Sequence, residues 1–139
     1  MYLSFPNTPY IHNNFLTFVM SMENTFLYLS SCSTCMRIIK ELGIENTSCL
    51  QDVKQQKATP EQLDFLYKHT HSYEALINKR GRVFAQLKRE GTAFTETVYK
   101  RLLESEYSCL KRPILIWDNK VYLGNAKKTV VEMKTALDG

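Results

Sequence analysis

No lysine or arginine precedes Arg37, and the one early apolar stretch, Phe15 to Met20, is soon interrupted by Glu23 and Asn24. A secretory leader needs a basic start and a longer apolar core, and a membrane span needs about 20 apolar residues, so neither is expected. A second C-x-x-C is also missing. Beyond Cys32 and Cys35 the only cysteines are Cys49 and Cys109, each standing alone, which disfavours a closed four-ligand zinc site. No metal is therefore expected, and Cys49 and Cys109 read as small core residues. Histidines are few as well. His69 and His71 read as exposed groups ending a helix, His12 lies near the start, and no carboxylate or histidine pair presents itself as an acid/base dyad.

What is present describes one domain. The 139 residues carry 18 Lys plus Arg, 14 Asp plus Glu and 44% hydrophobic residues, a globular balance. At this length folding hides roughly two thirds of the unfolded surface, so no disulfide or structural metal is required. A net charge of +4 favours anionic partners, but 23% charged residues of both signs is an ordinary surface, and no direct nucleic-acid binding is expected. Residues 1–21, rich in Tyr and Phe and without a helical or strand period, read as an N-terminal extension, disordered or a start-site artefact. Residues 22–139 then form the domain.

From Thr25 the chain becomes regular. Phe26 to Leu29 is a short strand, followed by a helix from Cys35 to Leu42 with Ser31 placed to cap it, Met36, Ile39 and Leu42 buried, and Gly43 as its stop. A second strand runs within Thr47 to Val53. Thr59 and Pro60 open a helix carrying Leu63, Leu66 and Tyr67 on one face to about His69. Tyr73 to Asn78 and Phe84 to Arg89 read as turns punctuated by Gly81 and Gly91, and Glu96 to Ser105 as a helix with Val98, Leu102 and Leu103 inward. Pro113 to Trp117, a two-residue turn at Asp118-Asn119, and Lys120 to Leu123 form a hairpin. Val130, Met133 and Leu137 mark a closing helix. The fold class is α/β: a four-stranded mixed sheet flanked by helices, with a helical insertion between the second and third strands.

Chemistry concentrates at Cys32-Ser33-Thr34-Cys35, between a strand and the first turn of a helix. Unpaired backbone N–H groups and the helix dipole there lower the pKa of the Cys32 thiol, and Cys35, one turn on, can attack a mixed disulfide on Cys32. Lys111-Arg112-Pro113 opens the third strand, and Asn78-Lys79-Arg80-Gly81-Arg82 forms a basic stretch in the insertion. Each is a solvated loop when taken alone.

Tyr28-Leu-Ser-Ser-Cys32-Ser-Thr-Cys35, Ala75-Leu-Ile-Asn-Lys-Arg-Gly81, Lys111-Arg-Pro-Ile-Leu-Ile116 and Leu123-Gly-Asn125 together resemble the arsenate reductase (ArsC/Spx) family, in order and over residues 25 to 137. The resemblance implies a thioredoxin-like fold with a cis proline at Pro113 facing the catalytic cysteine. It makes Cys32 the match of the catalytic cysteine in glutaredoxin-coupled arsenate reductases and Arg112 the match of an oxyanion-site arginine. Departures are plain: the His-Asn-Pro stretch before the family cysteine is absent, and Asn78 and Asn125 stand at the other two arginine positions, with Arg80 two residues beyond the first. Cys35 is absent from those reductases but belongs to the C-x-x-C of Spx-type regulators.

The expected function is that of a thiol-dependent oxidoreductase with Cys32 as nucleophile and Cys35 as resolving thiol. Arg112, Arg80, Ser33, Thr34 and Asn125 would hold a small oxyanion or a glutathione mixed disulfide. No bound cofactor is expected; glutathione, glutaredoxin or thioredoxin would supply electrons. The alternative is an Spx-like redox-switched transcriptional regulator that docks on RNA polymerase through a basic surface including Lys79, Arg80 and Arg82. A cycling C-x-x-C suits the cytoplasm, where thiols stay reduced.

Overall fold

Four short strands form one sheet in the order β2-β1-β3-β4, with β1 Thr25–Tyr28, β2 Leu50–Asp52, β3 Ile114–Trp117 and β4 Lys120–Leu123. This is a computed structural model that describes residues 22–139, so the expectation for residues 1–21 lies outside the described residues. β1 runs parallel to β2 and antiparallel to β3, and β3 runs antiparallel to β4. The sheet is mixed, as expected. Among the described residues five α-helices accompany it: α1 Ser33–Leu42, α2 Pro60–Thr70, α3 Arg82–Arg89, α4 Glu96–Ser105 and α5 Lys127–Asp138.

Strand alternation gives the sheet two apolar faces. Leu27, Ile114 and Ile116 face α2 and the insertion, where Leu63, Leu66, Leu76, Phe84, Tyr99 and Leu103 close the larger core. Phe26 and Leu115 face Ile38, Ile39 and Leu42 of α1 and Val130 and Met133 of α5. Fully burying one such side chain is worth about 1.5–3 kcal/mol, so these two layers hold the sheet between its helices. No helix among the described residues is long and apolar enough to cross a membrane.

Several local expectations shift. Cys32, not Ser31, is the N-cap of α1, and Met36 stays 43% exposed while Cys35 and Ile38 take the inner face. Ile39 and Leu42 are buried as expected, but Met36, one residue past Cys35, points about 100° away from the stripe formed by Cys35, Ile38, Ile39 and Leu42. In α4 the inner residues are Tyr99 and Leu103, with Val98 and Leu102 half-buried. α3 is a two-turn α-helix rather than a turn, and β2 is trimmed to three residues, leaving Cys49 half-buried just before it. Cys109 is buried in a 3-10 turn, Tyr107–Cys109. Asp118 and Asn119 both take positive φ, 50° and 61°, the geometry that lets a two-residue turn match strand twist. His71 caps α2 in the left-handed region, and the exposed His69 contacts the Asn119 carbonyl at 3.0 Å.

Candidate active site

Cys32 is placed by the chain leaving the carboxyl end of β1. Its N–H donates to the Leu29 carbonyl at 2.9 Å, and its own carbonyl receives the Met36 N–H at 3.1 Å, so the residue turns the strand into α1. Upstream, the Ser30 N–H points to Asp52 Oδ1 at 3.4 Å and the Lys54 N–H donates to the same oxygen at 3.1 Å. Partial burial opposes ionisation of Asp52, but these bonds outweigh it and hold the carboxyl below its usual value. The end of β2 thus ties down the loop that carries the first cysteine.

The two thiols sit in contrasting surroundings. Cys32 is half-buried and Cys35 wholly buried, both free. Partial burial works against a Cys32 thiolate, yet the nearby Cys35 and Thr34 N–H groups and the Cys35 thiol, aided by the Arg112 guanidinium, hold its pKa below the ordinary value. Burial pushes Cys35 up to about 11; the Leu29 backbone and Arg112 oppose this, and the neighbouring Cys32 adds to it. At neutral pH the outer sulfur is the readier nucleophile and the inner one a protonated donor beside it.

The Arg112–Pro113 peptide is cis. Arg112 Nη1 donates to the Ser108 and Leu110 carbonyls at 3.0 and 3.2 Å, while its buried Nε has no hydrogen-bond partner among the described residues. The guanidinium is therefore fixed beside the cysteines with capacity left over. Buried Cys109, also near Arg112, has its pKa raised, by burial first and by Glu106 second.

Cys32 and Thr34 open on a cleft of about 1250 Å³ that also gathers Arg80, Arg112 and Asn125. Ser33 is exposed and outside that lining, and Cys35 lies behind it. Asn78 lines the cleft, but its Oδ1 receives the Arg80 N–H at 3.2 Å, shaping the turn. Lys79, Arg82, Lys111 and Glu74 line the cleft as well. Lys111 went unremarked as a site residue, although its place beside Arg112 was the available signal. The stretch Lys79-Arg80-Arg82, the docking surface of the regulator alternative, belongs to the same cleft as Cys32.

Three helices begin at this cleft. The N-caps of α1, α3 and α5 are Cys32, Gly81 and Ala126, all in its lining, and none makes a side-chain cap. Their first-turn N–H groups have no partner within their helices and favour negative charge. Sequence reasoning saw only the first of the three. Among the described residues no group of three or more His, Cys, Asp or Glu side chains gathers to hold a metal.

The ArsC family model matches residues 27–133. No curated protein matches the chain. Among solved structures the chain is similar to an ArsC family related protein from Bacteroides fragilis, with 22% identity, a TM-score of 0.62 and coverage of 81% of this chain and 99% of that one. It is similar to an arsenate reductase from Vibrio cholerae at 15% identity and a TM-score of 0.62, covering 81% and 98% of the two chains. An arsenate reductase (ArsC) related protein from Brucella melitensis shares 24% identity at a TM-score of 0.56, over 78% and 91%. At these identities the structures speak for the thioredoxin-like fold.

Proposed function

Because the chain belongs to the ArsC family, we propose that it is a thiol-dependent oxidoreductase with Cys32 as nucleophile and Cys35 as resolving thiol. The observation that carries this reading is the pairing of a half-buried Cys32 thiol of lowered pKa, open to the cleft, with a wholly buried Cys35 thiol one helical turn on. In the first step the Cys32 thiolate attacks one sulfur of a substrate disulfide, forming a mixed disulfide and releasing the other half as a thiolate. Cys35 then loses its proton and attacks Cys32 Sγ, closing a Cys32–Cys35 disulfide and expelling the second half. Two electrons pass from the protein's thiols to the substrate, and the two protons end on the released thiols. An external thiol such as glutathione, or a dithiol protein such as glutaredoxin or thioredoxin, restores the reduced pair.

A disulfide substrate fits better than arsenate. Arg112 is the match of one oxyanion arginine, but Asn78 and Asn125 stand at the other two positions, and Asn78 Oδ1 is engaged within its own turn. The basic stretch assigned to a polymerase partner lines the thiol cleft, where a substrate of Cys32 can use it directly.

The test is an NADPH-linked assay with glutathione, glutaredoxin and glutathione reductase, supplied with arsenate or with a disulfide. Wild type should turn over the disulfide, Cys32→Ser should not, and Cys35→Ser should accumulate the mixed disulfide on Cys32, visible as added mass. Wild-type turnover in the Cys32→Ser protein would end this reading.

A further inference from the structure

The chain's net charge is located in one place. Lys79, Arg80, Arg82, Lys111 and Arg112 line the Cys32 cleft against a single carboxylate, Glu74. Setting these six aside from the 18 cations and 14 anions of the whole chain leaves 13 of each sign. The rest of the protein is electrically neutral, and the whole +4 surrounds the thiol. Concentrating like charge costs self-repulsion, which an anionic occupant relieves.

The pairing pattern sharpens the class of occupant. Glu74 is held by Lys79 in an ion pair, so the cleft's one carboxylate already has its cation. Among the described residues Arg80, Arg82, Lys111 and Arg112 have no carboxylate within salt-bridge distance. A ligand that brings an ammonium group finds no free acidic partner here, whereas one that brings several anionic oxygens finds four cations. Arginine forks and helix-start N–H groups are the usual phosphate-binding groups, and Gly81 and Arg82 at the start of α3 supply both. The cleft also exceeds the roughly 300–1,000 Å³ of ordinary small-molecule pockets, leaving room for a ligand that reaches from Cys32 to α3.

We propose that the cleft takes a low-molecular-weight disulfide whose thiol half carries phosphate groups, with its sulfur at Cys32 and its phosphates at Arg80 and Arg82 on the start of α3. This rests on the reading of Cys32 as the nucleophile and names its substrate class. The thiol half is released by the two-step exchange already described, and Arg80 and Arg82 take no part in the chemistry.

Binding and turnover separate the two ideas. Calorimetry on the reduced protein compares three probes: coenzyme A, which carries phosphates and a thiol; glutathione, which carries carboxylates and an ammonium; and an acidic hexapeptide of glutamates. Coenzyme A should bind tightest. Arg80→Ala/Arg82→Ala should weaken it by at least about tenfold, the loss expected when charge-assisted bonds are removed. The charge-matched control Lys88→Ala/Arg89→Ala, at the other end of α3 and outside the cleft lining, should change affinity little. Equal loss in both double variants, or glutathione binding as well as coenzyme A, overturns the phosphate site. Tighter binding of the hexapeptide overturns it in favour of an acidic protein segment. Turnover of coenzyme A disulfide then reports on Cys32: preferred binding without turnover leaves the phosphate site standing and removes the nucleophile reading.

Discussion

Helices that start at the cleft and helices that start away from it are built differently. α2 begins with Thr59, whose Oγ1 receives the Gln62 N–H at 3.0 Å while Gln62 Oε1 receives the Thr59 N–H at 2.9 Å, a complete capping box. α4 begins with Thr95, which accepts from the Val98 N–H. At α1, α3 and α5 the same place is held by Cys32, Gly81 and Ala126, without a side-chain cap. Relative to Ser, Thr, Asp or Asn, an alanine N-cap costs about 0.5–2 kcal/mol of stability and a glycine only about a few tenths. Three such omissions around one cationic cleft leave helix-start N–H groups free for a thiolate or an external anion. The capped helices serve the fold; the uncapped ones present charge.

The largest test of that contrast is at Cys32. Replacing it with serine should abolish disulfide turnover in the NADPH-linked assay, and in α1 it exchanges the thiolate that answers the helix start for a neutral hydroxyl. Alkylation against pH gives the next largest effect. In the native protein Cys32 should react with iodoacetamide through a midpoint below the ordinary thiol value, and Cys35 should ionise only near pH 11. A lowered pKa means the thiolate persists further as pH falls, so at neutral pH Cys32 should react faster than a free thiol while Cys35 is silent. Arg112→Ala removes one of the stabilising charges and should move the Cys32 midpoint upward. A midpoint for Cys32 at or above that of a free thiol would contradict the helix-start argument.

A smaller effect is expected on the capped side. Thr59→Ala removes an acceptor from the α2 capping box and should lower unfolding free energy by about 1 kcal/mol in urea denaturation. The Cys32 alkylation midpoint should stay where it is. A shift in that midpoint would show that α2 and the thiol site are coupled and that the division between the two sets of helices is not real.

Much of the fold was legible because its signals are local. Thr59-Pro60 with Gln62, the run from Pro113 to Trp117, and the spacing of Val130 and Met133 each name an element by themselves. The C-x-x-C after a strand marked the thiol pair for the same reason. What was missed depends on tertiary placement. Met36 fits a three-residue spacing with Ile39 and Leu42, but the face that packs on the sheet is centred on Cys35, Ile38, Ile39 and Leu42 and leaves it outside. Lys111, Arg82 and Ala126 are ordinary loop or helix-edge residues in sequence, and only the tertiary fold, with α5 against α1 and α3 against the Tyr107–Cys109 turn, brings them to one cleft. The charge imbalance was visible as a total and invisible as a location.

The last substitution probes the comparison most directly, because it converts an uncapped helix into a capped one. Ala126 is exposed and already has N-cap backbone geometry, φ −60° and ψ 143°, so a side chain can be added there without rearrangement. Ala126→Asp supplies an acceptor for the first turn of α5 and a negative charge at the positive end of its dipole, together worth about 1 kcal/mol of added stability. That carboxylate also enters the cleft's field and competes with any bound anion. Urea denaturation should therefore show a more stable protein while calorimetry with coenzyme A shows weaker binding. Such opposite signs from one substitution follow only if the bare start of α5 is part of the anion field. Greater stability with unchanged affinity would confine that field to α1 and α3 and leave Ala126 as an N-cap that merely lacks a side chain able to bond.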